Sequence, residues 1–388
     1  MNAGNARAVV LTLLISMIAL AGCGTVPAHT AAGPAAAGPA TGTVLAGQGY
    51  VGQAGWGAWR VTSLGLSVST DGGRHFAQVP LPAKVGPAAV LAVTQASGGT
   101  AWLCAAGPGR SVTVYARNSQ TGSWSAGTRL TPRWPAGLGG AELMPPTQVA
   151  VTAGRAGQVV VTTQLMLSHS VAIMRMFVSA DGGKTFAQRI LPSSSALNTP
   201  WWSAVMSGTY GVAVIGNRMN EVVHTVNGGS SWSASALSGV SGDYVAGPAI
   251  FAGSTTYLPV TESDHAGHGK FVLLRSTDGG ATFSAGGDQA VSFGGPFDPS
   301  PAPLSAEGSV WWLVYSPGGV VYRSADYGRS WSKAPALLPP GVISIGAAGA
   351  RNATATIQKG TCATGKTNCT SLEFLETTAD GGRSWTRL

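Results

Sequence analysis

The sequence predicts an all-β protein, a seven-bladed β-propeller with four-stranded antiparallel blades, from three observations. Glycine is abundant, at 56 of 388 residues, while 10% of the residues are charged and 44% are hydrophobic, as in a folded β protein with many turns. An eight-residue pattern, S/T-x-D-x-G-x-x-W/F, recurs along the chain at a spacing of about 50 residues. Between its copies, short apolar segments alternate with Gly-rich turns, and no segment after residue 22 has helical periodicity.

The N-terminal segment, residues 1–22, is predicted to be a signal peptide. Its one basic residue, Arg7, precedes an apolar stretch that is too short to span a membrane comfortably. The stretch ends in Leu-Ala-Gly-Cys at Cys23, which resembles the bacterial lipobox. The resemblance implies cleavage before Cys23 and lipidation of its thiol, and the alternative is an uncleaved anchor helix. The expected location is the cell membrane, with the lipid-anchored chain facing outside the cytoplasm.

Residues 23–42 are predicted to be a tether between the lipid and the folded part. They are mainly small residues with spaced prolines, so they cannot bury a core. A flexible chain of this length spans roughly 25 Å. The propeller is then expected to occupy residues 43–388.

The repeated pattern predicts hairpins, and its spacing predicts their number. Clear copies begin at Ser69, Ser179, Thr225, Ser276, Ser324 and Thr378. The separation of Asp71 and Asp181 is about twice the usual spacing, so a degenerate copy is expected between them. The segment Tyr115 to Ser125, "YARNSQTGSWS", keeps Trp124 but lacks the aspartate. Seven copies predict seven blades.

Each block between copies has room for three strands, and a fourth follows the aromatic residue of the pattern. Residues 43–70 have room for three strands before the first copy, and few residues follow Trp385. The first and last blades therefore close by packing alone, or the segment around Val44 adds a strand to the last blade.

The pattern resembles the Asp-box, or BNR repeat. The aspartate is expected to accept backbone N–H groups across the turn, the glycine to adopt a positive φ, and the aromatic residue to pack on the neighbouring sheet. The residues with these structural roles are Asp71, Gly73, Phe76, Asp181, Gly183, Phe186, Asn227, Gly229, Trp232, Asp278, Gly280, Phe283, Asp326, Gly328, Trp331, Asp380, Gly382 and Trp385.

Asp-box propellers include sialidases, sortilin-type receptors, xyloglucan hydrolases and photosystem II assembly factors, so the fold alone does not decide the function. What the resemblance implies for an active sialidase is a set of three arginines, a tyrosine nucleophile with a glutamate partner, and an acid/base aspartate. Candidate arginines are Arg60, Arg155, Arg218 and Arg275, but the sequence shows no complete set. We therefore predict no catalytic residue and a non-catalytic lipoprotein that binds or scaffolds a protein or cell-envelope glycan partner. An exo-sialidase-type glycoside hydrolase is the alternative.

The charge pattern argues against a nucleic-acid partner. The formal net charge is +8, but no run of five Lys or Arg residues occurs, so the positive charge is scattered. This pattern is typical of solubilising surface charge, and we expect a monomer.

The cysteines after Cys23 are assigned by their surroundings. Cys362 and Cys369 flank a Gly-containing loop, and in an exported protein this spacing predicts a local disulfide across a hairpin. Cys104 lies in an apolar run, which predicts a small buried residue rather than a reactive thiol.

Ligand contacts are expected on the rim opposite the repeated hairpins. The aromatic candidates there are Trp134, Trp201, Trp202 and Phe297. Trp201 and Trp202 have the alternative of filling the core. Trp311 and Trp312 are adjacent in a strand, so one is expected to face inward and the other outward.

One loop, "TESDHAGHGK", contains residue types that bind divalent ions. Its candidate ligands are Glu262, Asp264, His265 and His268. The alternative is a solvated polar loop, which we adopt because nothing in the sequence fixes a coordination geometry. No metal and no cofactor are therefore predicted.

Overall fold

The computed structural model describes residues 58–62, 65–70, 75–86, 90–95, 100–106, 111–133, 148–153, 157–168, 171–189, 201–216, 221–240, 243–263, 266–285, 290–298, 300–362 and 369–388. Cys23, the predicted signal peptide and the predicted tether lie outside these residues. Residues 41–359 and 372–388 form one compact unit. A second unit, residues 1–40 with 360–371, lies largely outside the described residues.

The described strands form seven sheets, numbered here in chain order. Sheet one contains β1 (Ala58–Thr62), β2 (Gly65–Ser69) and β3 (Ala77–Val79), and sheet two contains β4 (Val90–Gln95), β5 (Ala101–Ala106), β6 (Val112–Arg117) and β7 (Thr128–Leu130). Sheet three contains β8 (Gln148–Ala153), β9 (Val159–Ser168), β10 (Val171–Ser179) and β11 (Ala187–Arg189). Sheet four contains β12 (Trp201–Ser207), β13 (Tyr210–Gly216), β14 (Glu221–Thr225) and β15 (Ser233–Ala234).

Sheets five to seven follow in the second half of the chain. Sheet five contains β16 (Ala236–Ser238), β17 (Tyr244–Ala246), β18 (Ile250–Ala252), β19 (Thr255–Ser263), β20 (His268–Ser276), β21 (Thr282–Ala285) and β22 (Val291–Pro296). Sheet six contains β23 (Leu304–Glu307), β24 (Val310–Tyr315), β25 (Val320–Ser324) and β26 (Ser332–Lys333). Sheet seven contains β27 (Val342–Ala348), β28 (Asn352–Cys362), β29 (Cys369–Thr378) and β30 (Thr386–Arg387). A 3-10 turn at Ser316–Gly318 joins β24 to β25.

The chain is an all-β propeller, and five of its sheets are four-stranded antiparallel blades with strands in chain order. The prediction of seven such blades is wrong. Sheet one has three strands among the described residues, and sheet five has seven. Short turns between consecutive strands explain the regular sheets, because they allow each strand to pair with the one before it.

Sheet five departs from four strands because its two central strands are long. β19 and β20 each have nine residues. On one side, β17 and β18 pair with opposite ends of β19, and on the other, β21 and β22 pair with different parts of β20. β16 then adds to β21 in parallel. The extra strands therefore come from one long central hairpin that the spacing of the repeats does not reveal.

Among the described residues, the core consists of six apolar clusters, and each cluster lies between two successive sheets. Alternate residues of a central strand enter different clusters, because successive side chains of a strand point to opposite faces. Trp311 belongs to the cluster between sheets five and six, and Trp312 to the cluster between sheets six and seven. Both are 0% exposed, so the prediction that one faces outward is wrong. A blade is covered on both faces by its neighbours.

Cys104 confirms its predicted packing role. It lies in β5, is fully buried in the cluster between sheets two and three, and carries a free thiol. Burial raises the pKa of this thiol well above its usual range, which keeps it protonated and unreactive.

Candidate functional site

The box hairpins are defined here as the turns Ser179–Phe186, Thr225–Trp232, Ser276–Phe283, Ser324–Trp331 and Thr378–Trp385. In the third of these, the Ser276 hydroxyl donates to Asp278 Oδ1 at 2.7 Å and accepts the Gly280 N–H at 2.8 Å. Asp278 Oδ1 also accepts the Thr282 N–H at 3.0 Å, and Oδ2 accepts the Thr282 hydroxyl at 2.6 Å. The carboxylate is thus occupied in holding its own turn closed.

The same bonds recur in the other box hairpins. Asp181, Asp326 and Asp380 each accept a hydroxyl and a backbone N–H from the residue four positions later. Asn227 accepts the Ser231 N–H at 2.9 Å and donates its amide to the Ser231 hydroxyl at 2.8 Å. Sequence reasoning missed this hydroxyl at the seventh position of the pattern. The Thr or Ser that precedes the aromatic residue in these five copies was the available signal.

These contacts lower the pKa of each box aspartate. In Asp181, Asp326 and Asp380, the hydroxyl of the seventh residue is the largest cause of a lowered pKa. For Asp278, burial opposes ionisation, but hydrogen bonds from Thr282 and Ser276 outweigh it and lower the pKa to about 2. Such acids stay ionised at neutral pH, which suits a turn anchor and not a general acid.

Both glycine positions of the box hairpins adopt a positive φ, from 70° at Gly228 to 96° at Gly280. Tyr327 replaces the first glycine in its copy and still has a φ of 61°, the only non-glycine residue of the described chain in this region. The second glycine packs against the preceding sheet. A Cβ on Gly280 would lie 2.6 Å from Val212 Cγ2, and one on Gly328 would lie 2.5 Å from Leu273 Cδ2.

The box aromatics also pack on the preceding sheet. Trp232 and Phe283 are buried members of their clusters, and Phe186, Trp331 and Trp385 pack partly buried against theirs. The box hairpins are therefore staples between successive sheets. In the first copy, Asp71 and Gly73 lie outside the described residues. The structure describes only its first two residues, Ser69 and Thr70, and its last two, His75 and Phe76.

The degenerate copy forms a turn of its own, here called the sheet-two hairpin, residues 118–125. Asn118 Oδ1 accepts the N–H groups of Gln120 and Thr121 at 2.8 and 3.0 Å. Trp124 makes an isolated bridge to Arg117, and its indole N–H donates to the Pro80 carbonyl at 2.7 Å. The Asn118 amide thus caps this turn, as the Asn227 amide does in its hairpin, whereas the other described hairpins use an aspartate.

A charged row lies at the other end of sheet five, and it is the candidate functional site. Tyr244 pairs directly with Glu262, and Glu262 pairs with Lys270, so the three side chains share one face of the sheet. Glu262 Oε1 accepts a hydrogen bond from Lys270 Nζ at 2.9 Å. The Glu262 side chain is 2% exposed, whereas that of Lys270 is 39% exposed. Six residues of β20, about 20 Å, separate Lys270 from the box at Ser276.

Two further residues, His268 and Phe297, lie at the same end of sheet five. His268 is exposed and stands two positions before Lys270 in β20. Phe297 is half-buried, and its N–H donates to the Gly267 carbonyl at 2.9 Å, which holds it against the turn that precedes His268. Burial raises the pKa of Tyr244, so its phenol stays protonated at neutral pH.

The predicted ligand residues are only partly described. Trp134, Asp264 and His265 lie outside the described residues, as do the side chains of Trp201 and Trp202 at the start of β12. Phe297 bonds to the residue before His268, and His268 shares a face of β20 with Lys270. Arg275 lies beside the box end of β20, pairing with Tyr257, and so lies far from the charged row. The sequence suggested Glu262 only as a possible metal ligand. Its ion pair with Lys270 depends on the register of β19 against β20, which the sequence does not show.

Two further predictions concern metals and disulfides. No group of three or more metal-binding side chains forms among the described residues. β28 ends at Cys362 and β29 begins at Cys369, but their side chains are outside the described set, and no disulfide is seen elsewhere in it. A search of the described residues for a helix long and apolar enough to cross a membrane finds none.

Fold and hairpins together define the chain as a β-propeller. Comparisons with known proteins find solved structures that are similar to it but assign it to no family. No family model matches the sequence, and no curated protein matches it. Among solved structures, YCF48 from Cyanidioschyzon merolae is similar at 13% identity over 80% of this chain and 87% of that chain, with a TM-score of 0.43. Penicillium chrysogenum alpha-L-arabinanase complexed with arabinobiose is similar at 11% identity over 78% and 96%, with a TM-score of 0.45.

A further solved structure, of YCF48 bound to D1 peptide, is similar at 14% identity over 89% of this chain and 92% of that chain, with a TM-score of 0.46. These similarities are of fold, at low identity. Any function for this chain has to be argued from its own residues.

Proposed function

We propose that this protein is an exported lipoprotein, anchored through Cys23, whose Asp-box propeller binds or scaffolds a protein or cell-envelope glycan partner without catalysing a reaction. In this proposal the box hairpins are purely structural. The partner binds at the opposite end of sheet five, where Lys270, His268 and Phe297 lie. A disulfide between Cys362 and Cys369 remains part of the proposal.

The observation that carries the proposal is the Lys270–Glu262 ion pair. Burial of the Glu262 carboxylate costs several kcal/mol of desolvation, and the attraction of the Lys270 ammonium offsets this cost. Lys270 donates one N–H to Glu262 and has two more donors in its partly exposed ammonium. The pair thus fixes a cation at the surface in one orientation, on the same face of β20 as His268. A cation held in one orientation at the surface is suited to recognition.

The glycosidase alternative has one observation in its favour. Tyr244 and Glu262 are direct cross-strand neighbours, and sialidases use a tyrosine nucleophile with a glutamate partner. The geometry weakens this alternative at the carboxylate, because Glu262 Oε1 is already bonded to Lys270. The raised pKa of Tyr244 acts in the same direction, since it disfavours the phenolate.

The test of binding is a comparative pulldown of the full-length lipidated protein from detergent-extracted membranes. Lys270→Gln removes the charge and keeps a hydrogen-bond donor for Glu262, and Lys333→Gln makes the same change at an exposed residue of β26. We expect Lys270→Gln to lose a partner that wild type and Lys333→Gln both retain. Co-sedimentation with purified cell-wall polymer separates a glycan partner from a protein. Identical capture by all three proteins contradicts the proposed site.

A fluorogenic sialoside assay on the same preparations tests the alternative. The proposal expects no turnover. Wild-type turnover that is abolished by both Glu262→Gln and Tyr244→Phe would overturn the non-catalytic reading. Fractionation of a Cys23→Ser variant tests the anchor separately, with release from the membrane fraction as the expected result.

A further inference from the structure

An open cleft of about 620 Å³ lies at the sheet-two hairpin. It sits at the turn between third and fourth strands, the position that the box hairpins occupy in other sheets. Its volume falls within the range of small-molecule sites, about 300–1,000 Å³. Thr100, Arg117, Gln120 and Trp124 are among the nine residues that line it, and none of the nine is acidic. The cleft thus coincides with the one degenerate copy of the pattern among the described hairpins.

The walls of the cleft are held in place by bonds within the protein. Asn118 caps the turn through the N–H groups of Gln120 and Thr121. The Ser125 hydroxyl accepts the Ala116 N–H at 2.9 Å, and the hydroxyls of Thr121 and Ser123 are 2.6 Å apart. A turn that is satisfied without a ligand is preorganised, so binding loses little conformational entropy there.

An aromatic and cationic wall forms one side of the cleft. Trp124 is fixed by its bond to the Pro80 carbonyl, and its ring centroid lies 6.4 Å from that of Trp59. The Arg117 guanidinium lies 5.6 Å from the Trp59 ring centroid, and its Nε donates to the Gly122 carbonyl at 3.2 Å. These contacts orient the guanidinium, while its two terminal nitrogens donate to no residue that the structure describes.

We propose that this cleft binds a saccharide unit that carries a carboxylate. The terminal nitrogens of Arg117 form a planar fork that matches a carboxylate, and charge-assisted bonds of this kind are roughly twice as strong as neutral ones. The Trp124 ring offers an apolar face to the sugar ring, and the side chains of Gln120 and Thr100 supply an amide and a hydroxyl for sugar hydroxyls. None of the described lining residues is acidic, so none of them repels the anion. This site is separate from the charged row of sheet five, and the proposal does not depend on the function proposed there.

The experiment measures binding of trigalacturonate to the full-length protein in detergent by isothermal titration calorimetry, with cellotriose as the uncharged probe. We expect trigalacturonate to bind at least about tenfold more tightly than cellotriose, and added NaCl to weaken it. Arg117→Gln is expected to weaken trigalacturonate binding by about tenfold or more. Arg329→Gln, at an exposed arginine of a box hairpin, is the matched control and should leave the affinity unchanged.

A second variant guards against misfolding of Arg117→Gln. The exposed Gln120 side chain can be removed without breaking a bond of the turn, and Gln78→Ala in β3 is its control. Gln120→Ala should weaken binding a few-fold while the thermal midpoint stays at the wild-type value. No binding of trigalacturonate to the wild-type protein overturns the proposal, as does equal affinity for the two probes. An affinity that neither Arg117→Gln nor Gln120→Ala changes also overturns it.

Discussion

The turns at Ser276–Phe283 and at residues 118–125 occupy the same place in their sheets and are held by different chemistry. The first uses an ionised carboxylate that accepts three hydrogen bonds and two glycines with φ of 76° and 96°. The second uses the Asn118 amide, two neighbouring hydroxyls and a single glycine of the turn, Gly122, with a φ of 69°. An uncharged turn can therefore replace the charged one in this fold.

The two turns also differ in how closely they approach the preceding sheet. The charged turn brings Gly280 so close to Val212 that no Cβ fits between them. The uncharged turn instead leaves a cleft beside Trp124. Regular box hairpins thus serve the contact between sheets, and the irregular one leaves surface available for a ligand. Four predictions test how these turns are held.

The largest effect is expected from a methyl group at the sheet contact. Gly280→Ala combines a strained positive φ with a Cβ 2.6 Å from Val212 Cγ2, and should lower the free energy of unfolding by about 3 kcal/mol. Gly228→Ala is the control, because its φ is also positive, at 70°, but nothing lies within 4 Å of the new Cβ. It should cost about 1 kcal/mol. Urea unfolding measures both, and equal losses would show that the contact between sheets is not tight.

The next effect concerns the capping side chains. Asp278→Ala removes the acceptor of three hydrogen bonds and should cost about 2 kcal/mol, against about 1 kcal/mol for Asn118→Ala. Asp278→Asn should recover most of the loss, because Asn227 makes the equivalent bonds in its own hairpin. Chemical denaturation provides the comparison. A larger loss for Asn118→Ala would contradict the ranking of the two turns.

A smaller effect, of opposite sign, is expected at Tyr327. This residue has a φ of 61°, where a side chain costs about 1–2 kcal/mol and glycine does not. Tyr327→Gly should therefore stabilise the protein by about 1 kcal/mol and raise its thermal midpoint. Tyr210→Gly, at another exposed tyrosine without a positive φ, should lower the midpoint. A fall in the midpoint for both variants would show that the Tyr327 ring contributes more than its backbone strain.

The smallest effect is a dependence of stability on acid pH. The pKa of Asp278 is about 2 in the folded protein and 3.8 in its reference state, so the folded state favours the ionised form. Its contribution is fully present above about pH 4 and is lost as the pH falls toward 2. Asp278→Asn should flatten the slope of unfolding free energy against pH in this window. An unchanged slope would mean that other groups dominate acid unfolding.

Much of the fold could be predicted from the sequence because the repeated turn is a local structure. Ser276, Asp278 and Gly280 bond within eight consecutive residues, so their spacing alone reveals the hairpin. The number of four-stranded blades could not be predicted, because it depends on how many partners β19 and β20 acquire along their length. The burial of both Trp311 and Trp312 likewise depends on two neighbouring sheets and not on the alternation within β24.

The candidate sites divide in the same way. The sequence by itself determined that turns recur, where the aspartates stand and which copy is degenerate, because turn chemistry acts over a few residues. Only the tertiary structure decided that Tyr244, Glu262 and Lys270 form one row, and that Trp59 and Arg117 meet beside Trp124. Cross-strand register and packing between sheets bring distant residues into contact, and neither leaves a period in the sequence.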